Sequence, residues 1–218
     1  MKNAQIHEVI RLLEEVCRRW QVPIVTEMTL RRRDPFKVLI ATLLSLRTKD
    51  ETTAPAAERL FAEADIPARM LRLSGQRIAE LIFPVGFYKT KAGTILEVCQ
   101  RLVDNYGGRV PDDLDELLKF KGVGRKTANL VVTLGYGKPG ICVDTHVHRI
   151  SNRLGYVRTR NPEETEFALR RKLPTQYWIV YNDLLVAFGQ NLCKPVSPFC
   201  SRCPLNHLCA RRGVTTSR

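Results

Sequence analysis

KGVGRKTANLVV, residues 121–132, sets a Gly-Val-Gly turn directly before an apolar, helix-forming run and puts Lys126 in that run's first turn. The flanking stretches PDDLDELLKF and RKTANLVVTLGYG read as two short helices joined by this turn. Gly122 and Gly124 are able to take positive φ and let the backbone approach a ligand closely. The amides that open the second helix stand at the positive end of its dipole. Such a turn holds a phosphate without reading any base. Val123, between the glycines, is expected to anchor the turn in the core. Taken alone, the same residues describe an ordinary tight helix connection. Lys126 therefore has three readings: a phosphate contact, a chemical group, or a residue on a wet helix face.

Working outward, the periodicity is helical almost throughout. Ile6, Val9, Ile10, Leu13, Val16, Cys17 and Trp20 form one apolar stripe with charges opposite. Asp34 followed by Pro35 is an N-cap and first-turn pair, opening a buried helix through about Leu46. SGQRIAELIF begins at the cap-competent Ser74 and stops at Pro84. KTKAGTILEVCQRLVDNYGG is a longer helix ended by Gly107 and Gly108. Further helices begin near Asp144, Pro162 and Gln176. Strand-turn-strand alternation and internal repeats are both lacking, and PGICVD reads as a linker between helical groups. The expected fold class is all-α, with about ten helices.

A chain of 218 residues with 44% hydrophobic content suffices for one large domain or two small ones. Its 35 Lys and Arg against 22 Asp and Glu leave a formal charge of +13. A globular protein this basic usually meets a polyanion, most often nucleic acid; general solubility or a ribosome-associated role is the alternative. The N-terminal stretch carries charges every few residues and has no apolar signal core, and VLIATLLSL is too short to span a bilayer. A soluble cytoplasmic protein is expected, nucleoid-associated if prokaryotic, without membrane contact. Four of the seven cysteines, Cys193, Cys200, Cys203 and Cys209, follow C-x6-C-x2-C-x5-C. Thiolates converging in one short segment point to metal ligation rather than disulfides, and this chemistry alone leaves zinc and iron–sulfur open. Lys194, Arg202, Arg211 and Arg212 surround them, whereas Cys17, Cys99 and Cys142 read as reduced core thiols.

FKGVGRKTANLVV resembles the helix-hairpin-helix motif of DNA repair glycosylases, and CVDTHVHRI resembles that superfamily's signature segment, with its essential aspartate at Asp144. Together with LIATLLSLRTKD, VGFYKTKA and the cysteine spacing, nearly the whole chain resembles the endonuclease III family. The resemblance implies two helical lobes with DNA across the cleft between them. One is a six-helix lobe of residues 27–138 with the hairpin. The other is a discontinuous lobe of residues 1–26 and 139–218, with a [4Fe–4S] loop at 193–209 on the four cysteines. It implies a monomer acting on damaged double-stranded DNA, a bifunctional glycosylase and abasic-site lyase that removes oxidised pyrimidines. Gly122, Val123, Gly124 and Arg125 would grip the DNA backbone, with Lys89, Lys91 and Lys194 as further contacts. Phe87 and Arg47 match the positions that enter the base stack, where many relatives carry leucine and glutamine. The arginine puts the opposite-base preference in doubt.

The implied chemistry suits the residues. A free lysine, with a pKa of about 10.4, is almost entirely protonated at neutral pH. In the first turn of a helix the dipole disfavours a cation, Lys121 and Arg125 add like charge, and burial against ANLVV would add to both, biasing Lys126 towards a nucleophilic amine. Asp144 would stabilise positive charge developing at the sugar and shuttle protons, while also serving as a helix N-cap. The lysine–sugar Schiff base would then allow β-elimination on the 3′ side of the lesion. His148, four residues from Asp144, has the reach to pair with it, but it and His146 are assigned no catalytic part. The competing readings are a monofunctional adenine or T/U mismatch glycosylase, and a non-catalytic DNA-binding module with a four-cysteine zinc site.

Overall fold

The computed structural model describes residues 3–20 and 33–218, and among them eleven α-helices and no strand form. In chain order these are α1 (Gln5–Cys17), α2 (Pro35–Ser45), α3 (Asp50–Glu63), α4 (Pro67–Met70), α5 (Gly75–Ile82), α6 (Tyr88–Tyr106), α7 (Leu114–Leu118), α8 (Arg125–Leu130), α9 (Thr145–Arg153), α10 (Pro162–Lys172) and α11 (Trp178–Asn191). The chain divides into two compact units, Ile24–Lys138 and Met1–Pro23 with Pro139–Arg218. The expected boundary between residues 26 and 27 lies outside the described residues.

The first of these units is built around α2. Asp34 Oδ1 accepts hydrogen bonds from the amides of Phe36 and Lys37, both at 3.1 Å, so the cap expected from the Asp-Pro pair forms. Val38, Leu39, Ile40, Leu43 and Leu44 are all buried, because α3, α6, α8 and the turn after α8 pack around this helix. That turn, Val131–Gly135, is a π-helical continuation of α8. A Cβ on Gly135 would stand 2.9 Å from Pro35 Cα, so the second helix of the hairpin lies directly against the start of α2. The described part of this unit holds seven α-helices, of which the shortest, α4, is a single turn started by Pro67.

The second unit packs α1 and α9 on α11, with α10 against α9. The apolar stripe of α1 meets Val147, Ile150, Tyr181, Leu185 and Phe188 in one core. The segment between Cys142 and α9 stays extended. Buried Asn182 donates to the Cys142 carbonyl at 3.2 Å, which holds this segment on α11 and fixes where α9 begins.

Candidate active site and DNA interface

In the hairpin, Gly122 takes φ +77°, whereas Gly124 is extended at φ −94°. Of the two glycines able to take positive φ, only the first does so; the second continues the chain into α8. A Cβ on Gly122 would meet Thr94 Cγ2 at 3.2 Å and Leu43 Cδ2 at 3.5 Å. Val123 is buried as expected, and its amide donates to the Phe120 carbonyl at 3.1 Å, so it serves the turn as an anchor. No side chain caps the start of α8. We expect Gly122→Ala to cost about 1–2 kcal/mol, the penalty of a left-handed non-glycine residue, and to weaken duplex binding in a gel-shift titration.

Lys126 sits in the first turn of α8 and is exposed. The burial expected against ANLVV does not occur, because Thr127, Ala128, Asn129 and Leu130 turn inwards and leave the lysine on the outer face. Lys121 is held by Glu97 at 2.8 Å, which partly neutralises one of the two like charges expected beside Lys126.

Asp144 belongs to the second unit and caps α9: its Oδ1 accepts from the His146 amide at 2.8 Å and the Val147 amide at 2.9 Å. The carboxylate is half-buried and held by two backbone bonds. His148 bonds Thr165 Oγ1 through Nδ1 at 2.7 Å, and burial pushes its pKa down.

Two short segments of the first unit carry the residues expected to enter the base stack. Arg47 (φ +55°) and Phe87 (φ +58°) are both exposed and both left-handed, a conformation costing a non-glycine residue about 1–2 kcal/mol. The Arg47 guanidinium lies 5.8 Å from the Phe87 ring centre. Lys89 is exposed at the start of α6. Lys91 corrects the expectation of a phosphate contact: its Nζ donates to the Leu44 and Leu46 carbonyls, both at 2.7 Å, and to Thr48 Oγ1 at 3.3 Å. Burial draws its pKa down to about 8, so at neutral pH the ammonium still supplies three N–H groups to these three acceptors.

The four C-terminal cysteines converge. All four line one apolar cavity of about 30 Å³, with Ile150, Phe188 and Leu205 beneath it. Burial pushes the Cys203 thiol up to about 11, and the neighbouring thiolates of Cys193, Cys209 and Cys200 push the same way. Among the described residues no group of three or more His, Cys, Asp or Glu side chains is arranged to hold a metal ion. Arg153, only 7% exposed, donates to Cys193 Sγ at 3.4 Å and to the Lys194 carbonyl at 2.7 Å. The Arg211 amide donates to Cys209 Sγ at 3.4 Å. Cys193 and Cys209 thus each receive one N–H bond at sulfur. Lys194, Arg202 and Arg218 ring the face of Phe199 at 5.8, 4.5 and 4.2 Å. All seven cysteines are thiols, and burial pushes Cys17 to about 11 and Cys99 to about 12, in keeping with reduced core residues.

Residues 40–175 match the HhH-GPD superfamily of base excision DNA repair proteins. The chain is 51% identical over 183 residues to the endonuclease III of Thermotoga maritima, covering 83% of this chain and 86% of that one. The chain belongs to the endonuclease III family. Its structure is similar to that of a non-covalent endonuclease III–DNA complex, with a TM-score of 0.85 and 36% identity over 97% of this chain and 96% of that one. A trapped endonuclease III–DNA covalent intermediate is also similar, with a TM-score of 0.81 and 36% identity over 97% of each chain. Within the family, this chain is a base excision repair glycosylase and abasic-site lyase.

Endonuclease III motifs draw attention to Arg47 and Phe87 but not to what holds them. Thr48 does so together with Lys91, and its only sequence signal is a hydroxyl beside an exposed turn. Arg153 was equally hidden. It stands four residues after Arg149, which donates to the Cys193 carbonyl at 2.9 Å, so both reach the cysteine segment from one face of α9. No described helix is long and apolar enough to cross a membrane.

Proposed function

We propose that Lys126 is the amine nucleophile of this endonuclease III and that Asp144 is the carboxylate acting with it on an oxidised pyrimidine nucleotide turned out of the duplex. The observation that carries this reading is the exposed lysine in the first turn of an uncapped helix, directly after a glycine turn. An exposed amine reaches the anomeric carbon of an extruded nucleotide, and a buried one does not. The amine attacks that carbon and the base departs with a proton. The lysine–sugar adduct opens to a Schiff base, the 2′ proton leaves, and the 3′ phosphate is expelled. Water then frees the lysine. Asp144, held by its two amide bonds, bears the charge opposite the developing cation and moves the protons. The hairpin residues Gly122, Gly124 and Arg125, together with Lys89 and Lys194, would meet the phosphate backbone, while Phe87 and Arg47 fill the space left in the stack.

Cys193, Cys200, Cys203 and Cys209 would hold a [4Fe–4S] cluster. Membership of the endonuclease III family and the C-x6-C-x2-C-x5-C spacing favour this cluster over a single zinc ion. When bound, the cluster supplies a rigid crosslink across residues 193–209, which sets Lys194 and Arg202 in place. Replacing Cys203 by serine should abolish the visible absorption of the purified protein, leave iron below stoichiometry, and expose the 193–209 segment to protease. Stoichiometric zinc in the wild type would instead support the four-cysteine zinc alternative.

The deciding test uses a duplex with one thymine glycol, treated with the wild-type protein and borohydride and then digested for mass spectrometry. The expected product is a reduced sugar adduct on the peptide containing Lys126. Base release without any adduct would overturn the mechanism in favour of a monofunctional mismatch-type enzyme.

A further inference from the structure

Arg47 and Phe87 lie on separate segments forty residues apart in the chain, yet both adopt left-handed backbones and expose their side chains side by side. Non-glycine residues keep such conformations only where the surroundings over-determine them. Here the surroundings are one half-buried ammonium and one hydroxyl. Lys91, in the first turn of α6, caps the Leu44 and Leu46 carbonyls at the end of α2, where the chain turns into Arg47. Its own amide donates to the Phe87 carbonyl at 2.9 Å. Thr48 Oγ1 receives the third Lys91 bond and also accepts from the Gly86 amide at 3.1 Å. Gly86 in turn lies so close that a Cβ there would stand 2.9 Å from the Arg47 carbonyl, so only glycine lets the segments meet.

We propose that Lys91 is a positioning residue that locks the Arg47 and Phe87 segments into one rigid two-pronged unit, so that the spacing of the prongs, and through it the recognition of the base opposite the lesion, is set by this hydrogen-bonded ammonium. The proposal rests on the reading of Arg47 and Phe87 as the residues that enter the stack. Lysine suits the task because its compact head offers three donors in a small space; the planar fork of arginine does not match the Leu44 and Leu46 carbonyls and a hydroxyl from that stem. Since these bonds occupy all three N–H groups of the ammonium, Lys91 has none left for a direct hydrogen bond to phosphate.

The test compares Lys91→Met, Lys91→Arg and Thr48→Val with Phe87→Ala and Arg47→Ala in otherwise full-length, metal-loaded protein. Three quantities are read: single-turnover base release from thymine glycol duplexes with each of the four opposite bases, nicking of a single-stranded abasic oligonucleotide, and the salt dependence of duplex binding. Single-strand nicking needs no intrusion and reports that the variant is folded. The expected result for Lys91→Met is a fall of about 10²-fold on duplex, with the opposite-base differences flattened. Single-strand nicking should stay within about two-fold and the salt slope should not change. Lys91→Arg should fail to rescue, and Thr48→Val should show the same pattern more weakly. Full rescue by arginine, or a salt slope reduced by about one, would make Lys91 a phosphate contact and overturn the proposal. If Phe87→Ala and Arg47→Ala lose duplex activity while Lys91→Met and Thr48→Val match wild type, the proposal alone falls. If Phe87→Ala and Arg47→Ala also match wild type, the reading of the two prongs falls and takes the proposal with it.

Discussion

Lys126→Ala is expected to abolish the borohydride-trapped complex and to lower strand nicking by roughly 10⁴–10⁶-fold, the scale of losing a nucleophile. The fold should be indifferent. Lys126 is exposed on the outer face of α8, alanine is the best helix former, and substitutions at such sites stay within about 0.5 kcal/mol. Thermal unfolding should therefore superimpose on wild type, and duplex binding should lose no more than one charge contact. Lys121→Ala is the matched control, because that lysine pairs with Glu97 and has no place in the chemistry. Its nicking rate should stay within a few-fold of wild type. Trapping that survives in Lys126→Ala would move the nucleophile elsewhere in the chain.

The second large effect concerns Asp144, and two substitutions separate its two duties. Asparagine caps a helix about as well as aspartate, since its carbonyl oxygen accepts the same amide bonds. Asp144→Asn should thus keep α9 intact while removing the negative charge, and base release should fall by about 10²–10⁴-fold, the range for a positioned acid–base group or a preorganised electrostatic one. Asp144→Ala removes both duties. It should show the same kinetic loss and, in addition, lower stability by about 0.5–2 kcal/mol, because the bonds to the His146 and Val147 amides go with it. A kinetic loss in Ala but not in Asn would reduce Asp144 to a cap. Stability measured by denaturant and base release measured in a single turnover give the two readouts independently.

How much of this could be read in the chain depends on how local the physics is. The caps at Asp34, Ser74, Asp113 and Asp144 each join a side chain to an amide two or three residues away, and such bonds follow from a few neighbouring residues. The Gly122 turn and the cysteine spacing are local in the same sense, as is the register of the apolar faces. The resemblance to endonuclease III added roles to these positions because its motifs are themselves short.

Burial is different. Lys126 looked shielded by the ANLVV run, yet the inward turn of Thr127–Leu130 against α2 spends that apolar face on the core and leaves the lysine outside. Gly124 looked like Gly122, but only one of them meets a backbone that requires positive φ. Lys91 looked like a phosphate contact, and partners 43 to 47 residues away made it a half-buried brace. Arg153 found Cys193 across 40 residues. Chain pattern alone determined most of the helices, though not α3 and α4, together with the caps at Asp34, Ser74 and Asp144 and the hairpin, because each depends on residues within a turn or two. Which cations are used up inside the fold was decided only by tertiary structure, since the acceptors that satisfy the Lys91 ammonium and the Arg153 guanidinium come from distant segments.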